Sequence, residues 1–302
     1  DRTDGAAPRQ TGNIGLAVLE MRDHFLMRIV NGVEHALAGR GYRPVLCSSG
    51  NEIGVVQAKL RDMWDEGRVD GFLIMPADSP QPHRILTDLV ARHVPLVLID
   101  RFYENLEAPY VASDDLSGGY LVTRHLLSLG HRRIGFVTRP NLYVTSVSRR
   151  LSGYRQALAE SGIAFDSSLV FQGLLPYLSE MYLPEHERGH LAQYEREVLI
   201  DYLARPDRPS AVFACNDIVA VRVMEACREI GLDIPSDVAL VGYADEPVAS
   251  VLMPPLTTVR QNPYELGARA AAKLLDMLAG NPVSRETLLP LDLVVRGSCG
   301  AT

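Results

Sequence analysis

The chain has 302 residues, long enough for two domains or for one large α/β unit. Hydrophobic residues make up 47% and charged residues 22%, which excludes wholesale disorder, and a net charge of −7 argues against these residues gripping a phosphate backbone unaided. No apolar run approaches the roughly 18 residues needed to span a bilayer.

The opening "DRTDGAAPRQT" is polar, carries Gly and Pro, and reads as a linker over residues 1–11. Buried-strand signals follow at Ile14–Leu19, Val45–Ser48, Gly71–Met75 and Leu96–Asp100. Between the first two, Ile29, Val33, Ala36 and Leu37 recur at helical spacing, and Gly41 in "AGRGY" supplies a C-terminal stop. Strand alternating with helix predicts parallel sheets covered on both faces. After Asp100 the alternation breaks into an irregular stretch, Arg101 to Pro109, and a second series starts from "YVASDDLSGGY". Its strand signals are Ile134–Val137, Leu169–Gln172, Ala211–Ala214 and Val238–Gly242. A last amphipathic stretch carries Ala271, Leu274, Leu275 and Leu278. The predicted fold class is α/β, with two doubly wound parallel sheets of similar size.

The strand ends carry the functional signal. "VALVGYADEP", Val238 to Pro247, leaves its apolar run for two adjacent acids, Asp245 and Glu246. Asp100 ends another strand, and Asn216 and Asp217 end a third. A loop turned to water would explain one such end. The same polar punctuation at three ends favours a ligand cleft, because doubly wound sheets bind ligands outside the carboxyl ends of their strands. Two such sheets facing each other would make those edges the walls of an interdomain cleft. The four cysteines, Cys47, Cys215, Cys227 and Cys299, lie far apart without CxxC spacing, the pattern of free thiols in a reducing compartment.

A rival signal is literal. His186-Glu187-Arg188-Gly189-His190 matches H-E-x-x-H, the zinc-protease helix motif. That chemistry needs both histidines on one face of a stable buried helix, with a third metal ligand. Pro184 precedes the motif, Gly189 inside it costs about 1 kcal/mol of helix propensity, and the flanks are charged. These features predict a solvated insertion ahead of a helix Leu191–Leu203, with no metal and no cofactor. No nucleophile elbow, P-loop or dinucleotide fingerprint occurs, and Trp64 in "RDMWDEG" reads as packing.

Seven segments in order carry a resemblance: "VDGFLIMP", "VPLVLIDR", "DDLSGGYLVTRHLLSLGHRRIGFV", "RRLSGYRQAL", "PSAVFACNDIVAV", "EIGLDIPSDVALVGYADEP" and "PPLTTVRQNPYELGARAAAKLLDML". Over about Gly12 to Ser298 the sequence resembles the effector-binding core of lactose-repressor-family (LacI) transcription regulators, a type I periplasmic-binding-protein fold. The stretch "VAVRVMEACREIGL" is similar to the arabinose-repressor branch, whose core follows a winged-helix DNA-binding domain. The resemblance implies two subdomains joined by three crossovers, 12–112 plus 262–290 and 113–261 plus 291–302. It also implies a homodimer, no membrane segment, a cytoplasmic location, and contact with operator DNA only through an N-terminal domain outside this pattern.

The resemblance also assigns positions. Arg150, three residues before Gly153, matches the family's ligand-contacting arginine, whose fixed donors suit a sugar or a carboxylate. Its side chain is expected to face solvent when no ligand is bound; the alternative is a surface arginine at a helix N-terminus. Asn216 matches an effector-binding asparagine, with Asp217 expected as the helix cap. Asp100 matches the acid of the other subdomain, and Gln261 a crossing-strand glutamine. Asp23, His24 and Phe25 match a loop bearing an aromatic wall, although Phe25 could equally pack under its helix. Ser146 falls where some members place a hydroxyl. The family usually has an aspartate where this chain has Ala244, and the acid stands at Asp245. Successive side chains on extended backbone alternate sides. Asp245 therefore replaces that carboxylate only if the backbone turns; otherwise the site has lost an acceptor. The implied function is a ligand-sensing core, not an enzyme, responding to a sugar or a small acid. A periplasmic sugar-binding protein of an ABC transporter shares the fold and is the alternative.

Overall fold

The computed structural model describes residues 10–18, 24–48, 53–175 and 185–301, the side chains of 53–55, 185–189 and 191 excepted. The chain divides into two compact units, Asp1–Ala112 with Asn262–Leu289, and Ser113–Gln261 with Pro290–Thr302.

In the first unit the chain runs β1 (Asn13–Val18), α1 (His24–Ala38), β2 (Arg43–Ser48), α2 (Ile53–Asp65), β3 (Gly71–Ile74), α3 (Arg84–Ala91), β4 (Leu96–Ile99) and β5 (Tyr110–Ser113). The second unit supplies β6 (Ile134–Val137), β7 (Val170–Phe171), β8 (Ala211–Ala214), β9 (Ala239–Ala244) and β10 (Thr257–Arg260). Its helices are α4 (Asp115–Ser128), α5 (Thr145–Glu160), α6 (Glu185–Leu203) and α7 (Asp217–Glu229). The chain then returns through α8 (Pro263–Leu278) and β11 (Glu286–Leu289) to the first unit, and β12 (Asp292–Val294) closes the second.

The first sheet has strand order β11-β5-β4-β3-β1-β2, the second β12-β10-β9-β8-β6-β7. Neighbours from β2 to β5 are parallel, as are those from β7 to β10, and the β10–β12 pair is antiparallel. Parallel strands covered by helices on both faces need apolar side chains on both, and β3, β4, β6 and β8 are buried throughout. The expectation of two mostly parallel α/β sheets holds. Trp64 packs tilted on Phe72, their rings 6.3 Å apart.

Glycine sets the helix spacing. A Cβ at Gly119 of α4 would lie 2.1 Å from the Arg150 carbonyl oxygen, and one at Gly153 of α5 would lie 2.0 Å from that of Leu116. The two helices therefore touch backbone to backbone, and alanine at either position would force them apart. In the first unit Gly32 of α1 and Gly267 of α8 make the same kind of approach.

Three sequence expectations need correction. The strand signal Leu169–Gln172 shortens to the two residues of β7 because Ser167–Leu169 forms a 3-10 turn capped by Asp166. Val45 and Leu46 are exposed because β2 is an edge strand. The H-E-x-x-H residues do not precede a helix beginning at Leu191; they lie inside α6, which starts at Glu185. The unfavourable term for Gly189 is about 1 kcal/mol, and Leu199, Tyr202 and Leu203 bury the far end of the same helix.

Candidate functional site

Topology locates a site in each unit. Strand order reverses between β1 and β3 in the first sheet and between β6 and β8 in the second, and doubly wound sheets hold ligands outside the strand carboxyl ends at such reversals. In the second unit that position is occupied by Thr138 and Arg139 after β6 and by Cys215 and Asn216 after β8.

Arg150 reaches this point from the second turn of α5. It is only 6% exposed, which corrects the expectation of a solvent-facing side chain. Its Nε donates to Oδ1 of Asp115 at 2.8 Å, its Nη1 donates to the Cys215 carbonyl at 2.7 Å, and its guanidinium carbon lies 3.7 Å from the centre of the Tyr243 ring. The Tyr243 hydroxyl donates to the same Oδ1 at 2.8 Å. Burial alone would weaken the charged guanidinium, but the Asp115 carboxylate more than reverses this, so the arginine pKa is raised. Burial, followed by the Asp115 charge, raises the Tyr243 phenol well above its ordinary value. Asp115 and Tyr243 went unnoticed in the sequence. The available signal was the close-packing glycines: Gly119 and Gly153 bring α5 onto the start of α4, and Gly118 leaves room for the Tyr243 hydroxyl.

Asn216, not Asp217, caps α7: its side chain accepts from the Val219 amide at 2.8 Å. The first residue inside the helix turns into the protein, so Asp217 is fully buried and accepts from Thr258 Oγ1 at 2.6 Å and the Glu246 amide at 2.7 Å. Burial, only partly offset by these donors, pushes its carboxyl up to about 6. Gln261 is buried and donates to Ser113 Oγ at 2.9 Å, and Ser146 is buried in the first turn of α5.

The strand-end question has a structural answer. Ala244 and Asp245 both adopt positive φ, 126° and 56°, so the backbone does turn. Such conformations cost on the order of 1–3 kcal/mol each and persist only where neighbours hold them. Here the holders are two arginines: Asp245 Oδ2 accepts from Arg260 Nε at 2.7 Å and Oδ1 from Arg296 Nη2 at 2.6 Å. Burial pushes the Asp245 pKa up, and the Arg296 and Arg260 bonds override it, leaving a net depression. Removing the carboxylate as Asp245→Ala is expected to cost roughly 1–2 kcal/mol of folding stability, since Arg260 is largely exposed and its pair is discounted. A depressed folded pKa contributes stability above the unfolded value and loses it as pH falls. The gap between wild type and variant should therefore close from about pH 4 downward. Urea melts of both proteins across pH 3–7 check this; a gap that widens on acidification contradicts the clamp.

In the first unit Asp100 follows β4 in the left-handed region, φ 67°, with its carboxylate 3.6 Å from Arg101 Nε. Asp tolerates this conformation better than most residues, and its side chain is buried at the strand's carboxyl end. His24 opens α1 exposed, and Phe25 is half-buried against the core of α1 and α8. Asp23 lies outside the described residues.

His186 and His190 share one helix, but the side chains of His186 and Glu187 lie outside the described set, and His190 is exposed. Among the described residues no three of His, Cys, Asp or Glu come together as metal ligands, and no helix is long and apolar enough to cross a membrane.

Residues 123–299 match a family model described as a periplasmic binding protein-like domain, and residues 11–176 match one described as periplasmic binding proteins and the sugar binding domain of the LacI family. An HTH-type transcriptional regulator in the aml 5′ region of Streptomyces limosus is 34% identical over 96% of this chain and 79% of its own length. The ribose operon repressor of Haemophilus influenzae is 32% identical over 93% of this chain and 79% of its own. Among solved structures, a complex of the transcriptional regulator CelR with cellobiose superposes with a TM-score of 0.81 at 29% identity, covering 97% of this chain and 86% of that one. These relatives are regulators, which disfavours the transport-receptor alternative. The chain belongs to the LacI family of transcription regulators and is an effector-binding regulatory core of that family.

Proposed function

We propose that the effector is a carbohydrate or a carbohydrate derivative, and that it binds at the carboxyl edges of the two sheets. The observation that carries this reading is the Arg150–Asp115–Tyr243 network at the β6–β8 reversal, which fixes a guanidinium, an aromatic ring and the β8 carbonyl end in one place. A guanidinium held in a fixed orientation by such partners offers a donor fork that suits hydroxyl-rich ligands. The relatives named for ribose and solved with cellobiose support the same class. On this reading Asp100, Asn216 and Gln261 supply further polar contacts, Phe25 an apolar wall, and His24 and Ser146 marginal ones; Asp23, expected beside them, lies outside the described residues. Asp245, held by two arginines, is not an acceptor, so the site lacks one carboxylate at Ala244. The chain senses rather than catalyses, works in the cytoplasm as a homodimer, and has operator DNA as a partner.

A thermal-shift screen of pentoses, hexoses, disaccharides, sugar acids and purines tests the effector class. A ligand at 100 times its Kd adds about 2.7 kcal/mol of stability. We expect a carbohydrate to raise the melting temperature by several degrees; a response to purines alone, with none to any carbohydrate, contradicts the proposal. Sedimentation of the same protein should give a dimer mass, and a monomer at micromolar concentration contradicts that part.

A further inference from the structure

Positive potential reaches the Arg150 position of the second unit from the guanidinium itself and from the N-termini of α4 and α7. A carboxylate of the chain meets each of them. Asp115 is the first residue of α4 and Asp217 the first of α7, and both are buried. Oδ1 of Asp115 accepts from Arg150 Nε and from the Tyr243 hydroxyl, both at 2.8 Å.

This pair is held rigidly. The α4 and α5 backbones touch at Gly119 and Gly153, one turn beyond Asp115 and Arg150, and the fully buried Tyr243 fixes the carboxylate from β9. An arriving anion therefore meets a guanidinium whose charge is already cancelled. It cannot draw Arg150 away without stranding Asp115 in the core. The other arginines near strand ends of this unit are matched as well: Arg139 by Glu195 at 2.7 Å, and Arg260 and Arg296 by Asp245.

The groups left for a ligand are neutral dipoles. Asn216 spends only its Oδ1 on the α7 cap, which leaves its amide nitrogen, and Gln261 spends its Nε2 on Ser113, which leaves its Oε1. The first turn of α5 brings the Ser146 hydroxyl and no acid. Such dipoles replace water well around hydroxyls, but a net charge placed among them lacks an uncompensated partner.

We infer that this site selects an uncharged carbohydrate over the acid or phosphate of the same sugar, and that Asp115 sets the choice by cancelling the charge of Arg150. The inference rests on the carbohydrate reading above and narrows it.

Calorimetry on the full chain with three matched sets tests it: ribose with ribonate and ribose 5-phosphate, glucose with gluconate and glucose 6-phosphate, and cellobiose with cellobionate. The neutral member of a set that binds is expected to bind about tenfold or more tighter than its charged partners. Its affinity should change less than about twofold between about 20 and 500 mM salt, because no net charge is exchanged. Asp115→Asn keeps the volume and an acceptor oxygen while uncovering the charge of Arg150. At temperatures where this variant is folded, the ratio of charged to neutral affinity should rise by about tenfold or more over wild type. A merely structural role would weaken every member of a set alike, and that result would overturn the part given to Asp115. The wild-type ratio decides the charge preference even where the variant does not fold. A charged member bound as tightly as its parent sugar overturns the inference and leaves the carbohydrate reading standing. Binding of purines with no member of any set bound contradicts that reading, and the inference with it.

Discussion

Arg150→Ala is expected to lose about 3–5 kcal/mol of folding stability even with no effector present, the usual cost of removing one partner from a buried ion pair. The Asp115 carboxylate would remain buried, with the Tyr243 hydroxyl but without its cation, and the Cys215 carbonyl would lose its donor. Against a typical total of about 5–15 kcal/mol this is a large fraction. Replacing both partners, Arg150→Met with Asp115→Leu, should recover much of the loss, because no charge is then stranded. Urea denaturation of both variants beside the wild type in effector-free buffer measures both effects. Wild-type stability in Arg150→Ala would show that the network is loose. The result also bears on binding studies: lost effector affinity in Arg150→Ala counts as evidence about the site only at temperatures where the variant is folded.

Glu195→Ala should produce a loss of the same order, about 3–5 kcal/mol. Glu195 of α6 is 2% exposed, and its Oε1 accepts both Arg139 Nη1 at 2.7 Å and the Leu175 amide at 2.9 Å, while Oε2 stands 3.6 Å from Arg222 Nε. One carboxylate thus ties the carboxyl end of β6, the chain at Leu175 and α7 together. Glu195→Gln keeps an acceptor for the amide and should cost clearly less than the alanine variant. Equal losses for the two would mean that the charge alone matters and that the retained volume and amide acceptor contribute nothing. Thermal and urea melts of both variants decide between these outcomes.

The contrast between Arg150 and Asp245 shows what the sequence could and could not convey. Strand cores such as Ile134–Val137 and Ala211–Ala214 were legible to the residue, because a strand buried on both faces has no choice but an apolar run. Tyr110–Ser113, Thr257–Arg260, Glu286–Leu289 and Asp292–Val294 were not singled out. They are short, and several carry polar side chains whose partners lie far along the chain, such as Thr258 on Asp217 and Tyr110 on Glu286. The polar strand ends at Asp100, Asn216 and Asp245 were visible as punctuation, but their roles depended on backbone turns and distant arginines. Asp245 pairs with Arg296, 51 residues away, and Arg150 pairs with Asp115, 35 residues away. No local pattern encodes such pairings. Asn216 takes the capping role expected of Asp217 because the N-cap position shifts by one residue, which sends one side chain to the helix end and the next into the core.

Hydrogen exchange, with and without the carbohydrate that most raises the melting temperature, tests the central claim most directly. The account predicts slowed exchange in the segments around residues 138–150, 215–219 and 261 of the second unit and around 24–26 and 100–101 of the first. Protection confined to other surfaces, with these strand ends unchanged, would contradict it.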